Sequence, residues 1–310
     1  MKNKSLLLIL LVIAVLSLTA CGSMQKASGT GEDDTITVSH ALGEAVVKKN
    51  PERVIVFDYG TLDTLDKMGV EIIGLPKSNI PTLLDKFNDD KYEDVGTLFE
   101  PDFEKIYELK PDVIFISGRQ AEVYEELVKI APTVYMELDG SDYMASVTKN
   151  ATLLGEIFGK EDFVKEELEK INKAIEELNK KVTESGKNAL IVMANDGSIS
   201  AYGEGSRFGI IHKEFGFTPV DKEIQVSNHG QSITFEYILE KNPDYIFVID
   251  RAATTGGSIS AEQIFDNDII KQTDAYKNGN IVYLSSQVWY VASGGLTGTM
   301  IMIEDVSKGL

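Results

Sequence analysis

Residues 161–184, near the middle of the chain, contain no glycine or proline, and their apolar residues recur at helical spacing. Those apolar positions are Phe163, Val164, Leu168, Ile171, Ile175 and Leu178. Acidic residues precede lysines by four positions, as in Glu166 and Lys170, which stabilises a helix. A helix of this length runs about 36 Å, enough to cross a small domain. We therefore predict one long, rigid helix between two lobes, which favours rocking motions over a wide hinge opening.

Short β-branched runs alternate with helical patterns on both sides of this segment. They occupy residues 53–57, 111–117, 132–136, 189–193, 245–249 and 281–284. Apolar strands that alternate with helices are typical of sheets covered on both faces. We predict an α/β fold of two Rossmann-like lobes, with an N-terminal lobe at 36–158, the connecting helix at 159–185 and a C-terminal lobe at 186–310.

An internal repeat relates the two predicted lobes. Phe103-Glu104-x-Ile106 followed by Pro111-Asp112 recurs, with the same spacing, as Phe235-Glu236-x-Ile238 followed by Pro243-Asp244. Each copy stands directly before a predicted strand. Unrelated helix-to-strand junctions also use proline, so a chance match is the alternative.

The N-terminus has the pattern of a lipoprotein signal. Lys2 and Lys4 precede an apolar stretch too short to cross a bilayer comfortably, and Leu18-Thr19-Ala20-Cys21 resembles a lipobox. Cys21 is the only cysteine, which excludes a disulfide within the monomer. We predict a signal peptide at 1–20, lipidation of Cys21 and a flexible tether at 21–35. The alternative is an ordinary signal peptide with an incidental cysteine.

The charge of the chain limits its partners. The formal net charge is -19, and without residues 1–20, which carry two lysines and no acids, it is -21. Nucleic acid requires a basic face, so we exclude it as a partner. An anionic ligand would need a local cationic cluster that works against the field of the whole protein.

Arginine is scarce, and its positions are informative. Of 30 basic residues only Arg53, Arg119, Arg207 and Arg251 are arginine. Arg119 and Arg251 come just after predicted strands, and Arg207 lies in a glycine-bearing segment of the C-terminal half. Ligands of open α/β sheets bind beyond the carboxyl ends of the strands. We therefore predict that these three line a cleft between the lobes and that Arg53 is structural, whereas each alone could instead pair with a neighbouring carboxylate.

Several longer stretches resemble a known family. They include FDYGTLDTLDKMG, DDKYEDVGTLFEPDFEKI, ISGRQ, SRFGIIH, HGQSITFEYI and NPDYIFVIDR. With the lipobox and the connecting helix, they are similar to the class III (cluster A-II) substrate-binding proteins of iron-siderophore importers, and in particular to the petrobactin-binding lipoproteins of bacilli. The resemblance implies the class III periplasmic-binding-protein fold, and a lipid-anchored monomer on the outer face of the cell membrane. It also implies a pocket lined by Arg119, Arg207 and Arg251, and delivery of a ferric siderophore to an ABC permease dimer with its ATPase.

The predicted ligand is an anionic ferric chelate of the catecholate type. Guanidinium is always charged and offers planar pairs of donors, which suits the oxygens of such a chelate. Further candidates for ligand contact are Tyr59, Lys77, His229, Trp289 and Tyr290, for which core packing or capping is the alternative. Exposed carboxylates at the equivalent repeat positions Glu104 and Glu236 would dock on the permease, with Glu100 as a rival in the first lobe. An ordinary acid in a first helical turn is the alternative.

Other functions receive less support. The sequence has no GxSxG, HExxH or P-loop motif, so we predict no enzymatic activity. Only three histidines, His40, His212 and His229, are present, so we predict no direct metal site and no cofactor. Haem, a neutral hydroxamate chelate and a structural or adhesive lipoprotein remain alternatives.

Overall fold

The computed structural model describes residues 34–310. The predicted signal peptide and Cys21 lie outside the described residues, as does the predicted tether apart from its last two residues, of which Thr35 begins a strand. None of the helices in residues 34–310 is both long and apolar enough to span a bilayer.

The N-terminal half forms a five-stranded parallel sheet, which we call the N-terminal sheet, preceded by an antiparallel hairpin. Its strand order is β5-β4-β3-β6-β7. Apolar β3 and β6 are fully buried, as expected of parallel strands covered on both faces. The elements are β1 Thr35–His40, β2 Gly43–Lys48, β3 Val54–Val56, α1 Tyr59–Lys67, β4 Gly74–Leu75, a 3₁₀ helix Thr82–Asn88, β5 Glu93–Asp94, α2 Phe103–Leu109, β6 Val113–Ile116, a 3₁₀ helix Gly118–Val123, α3 Tyr124–Leu127, β7 Thr133–Tyr135, a 3₁₀ helix Gly140–Asp142 and α4 Tyr143–Phe158.

The predicted connecting helix is present as α5, Glu161–Ser185. It begins just after Gly159, which ends α4 in a left-handed conformation, and it stops at Gly186, also left-handed. Its buried side chains are Val164, Leu168, Ile171, Ile175, Leu178 and Val182. Five of these are positions that the helical spacing had identified, so the apolar stripe is what holds the helix against the core.

The C-terminal half contains the second sheet, in the order β11-β9-β8-β12-β13. Strands β8, β12 and β13 are parallel, whereas β9 and β11 run antiparallel to their neighbours and β10 pairs with the start of β8. The elements are β8 Asn188–Asn195, β9 Ser198–Tyr202, α6 Ile210–Lys213, β10 Thr218–Pro219, β11 Gln231–Ile233, α7 Phe235–Lys241, β12 Tyr245–Asp250, α8 Arg251–Thr255, α9 Ala261–Phe265, a 3₁₀ helix Ile270–Gln272, α10 Asp274–Lys277, β13 Ile281–Tyr283, α11 Ser286–Val291 and α12 Leu296–Lys308.

The last helix returns to the first half of the chain. Helix α12 packs against α1 and α5. The buried Asp63 of α1 accepts a hydrogen bond of 2.8 Å from the backbone N–H of Gly298. The largest hydrophobic cluster accordingly includes side chains from both sheets and from α5. The lobe boundaries themselves stay a prediction, and these contacts restrict how far the two halves could move apart.

The internal repeat corresponds to two equivalent helix-to-strand junctions. Helices α2 and α7 end at Lys110 and Asn242, whose φ angles are 48° and 42°. In the first copy, Asp112 accepts two hydrogen bonds of 2.9 Å from the backbone at the entry to β3. In the second, Asp244 accepts one of 3.0 Å from the backbone N–H of Asn188, where β8 begins. The aspartate of each repeated Pro-Asp therefore links the segment after the helix to the start of a neighbouring strand by hydrogen bonds.

Candidate functional site

A cavity of about 530 Å³ has walls from both halves of the molecule. Its lining includes residues that follow the carboxyl ends of β3, β6 and β12. Ligands of α/β proteins bind at this edge of the sheets. The lining residues are Asp58, Thr61, Thr64, Phe99, Ser117, Gly118, Arg119, Tyr135, Met136, Leu138, Gly140, Asn150, Leu154, Met193, Arg207, Asn228, His229, Arg251, Tyr290, Val291, Ser293 and Gly294.

The three predicted arginines all lie on this wall, each held by a different local structure. Arg119 is in the first turn of the 3₁₀ helix after β6, where Ser117 and Gln120 form a capping box. Arg207 lies in the loop between β9 and α6. Arg251 is the first residue of α8, whose N-cap is Asp250.

The three guanidinium groups meet at Tyr290. Arg119 and Arg207 each donate from Nη2 to the carbonyl oxygen of Tyr290, over 3.2 and 2.7 Å. Arg251 donates from Nε to the hydroxyl oxygen of Tyr290 over 2.8 Å. The guanidinium carbons of Arg207 and Arg251 also lie 4.9 and 5.6 Å from the centre of its ring. Neutral acceptors thus hold the cations together without cancelling their charge.

No carboxylate in the described part of the chain forms an ion pair with these arginines. Every ion pair within residues 34–310 is made by a lysine. Burial lowers the pKa of Arg207, and the positive charge of Arg119 lowers it further. Guanidinium nevertheless stays protonated in proteins, so burial and the repulsion by Arg119 make the charged form of Arg207 energetically unfavourable. A bound anion would relieve this electrostatic strain.

Arg53 lies away from the cavity, as predicted. Its Nε donates to the carbonyl oxygens of Leu109 and Lys110, over 2.8 and 3.0 Å. These carbonyls end helix α2, so the side chain caps that helix.

Two of the five further ligand candidates line the cavity, and three do not. His229 and Tyr290 are on the wall. Tyr59 is buried in the core and donates its hydroxyl to the carbonyl of Pro76 over 2.9 Å. Lys77 donates from Nζ to the carbonyl of Asp89 over 2.8 Å, away from the cavity.

Trp289 is the third candidate that does not line the cavity. The sequence made it a candidate for ligand contact, but its side chain is fully buried within helix α11. Its Nε1 donates to Asp305 of α12 over 3.1 Å. A buried tryptophan needs such an acceptor, and one sixteen residues away cannot be recognised from local sequence.

Among the wall residues that were not predicted, Asp58 and Phe99 are the two with the clearest chemical role. Asp58 caps helix α1 by accepting hydrogen bonds of 2.8 Å from the backbone N–H and the hydroxyl of Thr61. Burial raises the pKa of Asp58, against the opposing effects of these bonds and of Arg119. Its place directly after β3, equivalent to the places of Arg119 and Arg251, was a usable signal. Phe99 is the other, an exposed aromatic residue in a loop between β5 and α2.

The carboxylates predicted to dock on a permease are exposed. Glu104 and Glu236 occupy the first turns of the equivalent helices α2 and α7. Glu100 is also exposed, in the loop before α2. Docking stays a prediction.

Metal ligation by side chains has no candidate in the part of the chain that the structure describes. No group of three or more histidine, cysteine or acidic side chains is placed to hold an ion there. The buried His212 is engaged instead with the carbonyl oxygen of Phe217, at 3.0 Å from Nδ1.

Known proteins are similar in sequence to this chain over nearly its whole length. The petrobactin-binding protein YclQ of Bacillus subtilis is 49% identical over 100% of this chain and 99% of its own. The ferric-anguibactin-binding protein FatB of Vibrio anguillarum is 36% identical over 88% of this chain and 87% of its own.

Solved structures agree with the fold. The crystal structure of YclQ has a TM-score of 0.87 at 50% identity, covering 89% of this chain and 98% of that one. That of the catecholate-siderophore-binding protein VctP of Vibrio cholerae has a TM-score of 0.84 at 37% identity, covering 88% and 99%. The class III fold predicted from the resemblance is therefore confirmed. Residues 39–288 match the periplasmic binding protein family, and the chain accordingly belongs to that family of binding proteins rather than to a class of enzymes.

Proposed function

We propose that this protein captures an anionic ferric siderophore, of the catecholate type, and delivers it to an ABC permease for iron uptake. The observation that carries the proposal is the meeting of Arg119, Arg207 and Arg251 at Tyr290, with no carboxylate of residues 34–310 in an ion pair with them. A ferric tris-catecholate carries about three negative charges spread over its oxygens, which matches three fixed cations. At about 5 Å and an effective dielectric near 20, each pair contributes about 3 kcal/mol before desolvation.

The names of the relatives support the same ligand class. YclQ is named for petrobactin, and VctP for catecholate siderophores. A cavity of about 530 Å³ is in the range of pockets that hold small molecules.

A ligand panel tests this proposal. Residues 34–310 would be titrated by calorimetry with a ferric tris-catecholate, ferric citrate, a ferric trihydroxamate and haem. We expect the tris-catecholate to bind at least tenfold more tightly than the uncharged trihydroxamate, because only the former uses the three cations. Preferential binding of the trihydroxamate, or a haem Soret shift without chelate binding, would reject the proposal.

Capture outside the cell needs an anchor and a docking surface. We propose lipidation of Cys21, so that a monomer is held at the outer face of the membrane despite its net charge of -21 without residues 1–20. Labelling of the protein with a radioactive fatty acid in cells tests the anchor, and the Cys21→Ser variant should not be labelled.

We further propose that Glu104 and Glu236 contact the two equivalent faces of a permease dimer, since the repeat places one on each half.

A further inference from the structure

Phe99 is an aromatic side chain on the cavity wall that packs against little protein. It lines the cavity, yet its relative exposure is 72%. It belongs to none of the hydrophobic clusters found in residues 34–310. An exposed phenylalanine forgoes the stabilisation that burial would provide, so its apolar surface at this rim is available to a ligand.

The loop that carries Phe99 is held by its own hydrogen bonds. The Thr97 hydroxyl oxygen accepts from the backbone N–H groups of Phe99 and Glu100, over 3.2 and 2.9 Å. Gly96 has a φ of 102°, and a Cβ there would lie 2.4 Å from the carbonyl oxygen of Glu100. This tight turn restrains the backbone of the loop that carries the ring at the rim of the cavity.

Gln120 connects this loop to the turn that carries Arg119. Its side-chain oxygen accepts from the backbone N–H of Ser117 over 3.1 Å, and its side-chain nitrogen donates to the carbonyl of Leu98. Gln120 is itself buried, with 1% exposure. Phe99 follows Leu98 in the sequence, and Arg119 precedes Gln120. The backbone segments that carry the two side chains are therefore joined by the hydrogen bonds of Gln120 into one frame.

An anion-binding group and an apolar ring on one frame suit a ligand that carries both features. Charge alone does not separate a catecholate chelate from a hydroxycarboxylate chelate of similar charge, because each presents anionic oxygens to the arginines. A flat aryl ring adds contact with a phenyl ring, by offset stacking or edge-to-face packing, that a citrate backbone lacks.

We propose that Phe99 contacts an aryl ring of the bound chelate and favours aryl chelates over hydroxycarboxylate chelates. This role rests on the proposed function of the same cavity. It adds a discriminating contact to the anion site, which the arginines alone do not supply.

The test compares Phe99→Ala and Phe99→Tyr with the unaltered protein, by calorimetry with a ferric tris-catecholate and with ferric citrate. Tyr107→Ala is the matched control, because Tyr107 is also 69% exposed but does not line the cavity. We expect Phe99→Ala to weaken binding of the tris-catecholate about fivefold to tenfold and that of ferric citrate less than twofold. Phe99→Tyr, which keeps the ring, and Tyr107→Ala should bind both chelates like the unaltered protein.

The outcomes separate this role from the proposed function. If the unaltered protein binds the tris-catecholate and Phe99→Ala binds it equally well, the role of Phe99 is wrong and the anion site stands. Equal weakening for both chelates would also reject it, because discrimination would be missing. Unchanged affinities with slower iron uptake in cells would point to a contact with the permease and overturn the role. If the unaltered protein binds no tris-catecholate, the proposed function and this inference fail together.

Discussion

Nη2 of Arg207 lies 2.7 Å from the carbonyl oxygen of Tyr290, a contact between a partly buried cation and a neutral acceptor. A carboxylate in the same place would fix the side chain equally well but would cancel its charge. The carbonyl orients the guanidinium and leaves its charge available. The same oxygen accepts from Arg119, which belongs to the other half of the fold, so the two cations are placed relative to each other by one atom.

Tyr290→Phe tests how much the hydroxyl contributes to this arrangement. The substitution removes the acceptor of Arg251 but keeps the ring and the main-chain carbonyl. We expect the free energy of unfolding to fall by about 1 kcal/mol in chemical denaturation. Tyr290→Ala should cost more, because it also removes the ring beneath two guanidinium groups. Tyr276→Phe, at an exposed tyrosine, serves as the control, and an equal loss there would contradict the account.

Gly140→Ala tests the contact between the two halves. A Cβ at Gly140 would lie 2.5 Å from Cα and 2.6 Å from N of Arg207, and neither backbone atom can move by a change of rotamer. We expect the segment of Arg207 to shift, with a loss of about 1–3 kcal/mol of stability and at least tenfold weaker chelate binding. Gly118→Ala is the matched control on the same cavity, because its nearest neighbour would be the Tyr135 hydroxyl at 3.8 Å. Equal behaviour of the two variants would show that this packing does not position Arg207.

His212 gives the stability a dependence on pH. Burial lowers its pKa below 6.5, and the hydrogen bond to Phe217 and the charge of Glu204 only partly oppose this. Below pH 6.5 the unfolded chain therefore takes up a proton that the folded chain does not, so stability falls as the pH decreases from 6.5 towards the folded pKa. His212 contributes at most about 1.4 kcal/mol per pH unit to the slope of the unfolding free energy against pH.

Denaturation at several pH values between 7.5 and 5 checks this expectation. His212→Gln should flatten the decrease, whatever its effect on stability at neutral pH. His40, whose pKa is also lowered by burial, remains in both proteins and contributes to both curves equally. An unaltered slope in His212→Gln would show that His212 is not the responsible group.

Charge reversal separates docking from ligand binding. Glu104→Lys and Glu236→Lys should each reduce siderophore-dependent iron uptake several-fold, because a carboxylate that meets a permease cation would be replaced by a like charge. Chelate affinity of the purified proteins should stay within twofold, since neither residue lines the cavity. Glu176→Lys on α5 is the control, being exposed outside the repeat. Uptake at the normal rate in the double variant Glu104→Lys/Glu236→Lys would contradict the docking proposal.

Much of the fold could be predicted from periodicity and from the repeat. The apolar stripe of α5 is local in sequence, and the offset from Phe103 to Asp112 recurs unchanged, so both could be recognised without coordinates. The arginines could be located because residues that follow parallel strands share one edge of a sheet. These signals depend on spacing along the chain alone.

The remainder depended on contacts between distant residues. Asp305 accepts a hydrogen bond from the indole N–H of Trp289, 16 residues away in the sequence. Asp63 accepts one from the backbone N–H of Gly298 in helix α12, 235 residues away. Arg119 and Arg207 both bind the backbone carbonyl of Tyr290, which every residue possesses, so the residue type gives no sign of these two contacts. The role of Phe99 could not be predicted from the sequence, because the exposure of its side chain at the cavity is a property of the folded chain.

The affinity of the three arginine variants for a ferric tris-catecholate tests the central claim most directly. Arg119→Gln, Arg207→Gln and Arg251→Gln would be measured by calorimetry beside Arg207→Lys, which keeps the charge, and Arg53→Gln, which lies outside the cavity. Each cavity variant should bind at least tenfold more weakly, since a pair worth about 3 kcal/mol before desolvation is lost. Arg207→Lys should recover part of that loss, and Arg53→Gln should bind normally. Unchanged affinity in all three glutamine variants would contradict an anion site built from these guanidinium groups.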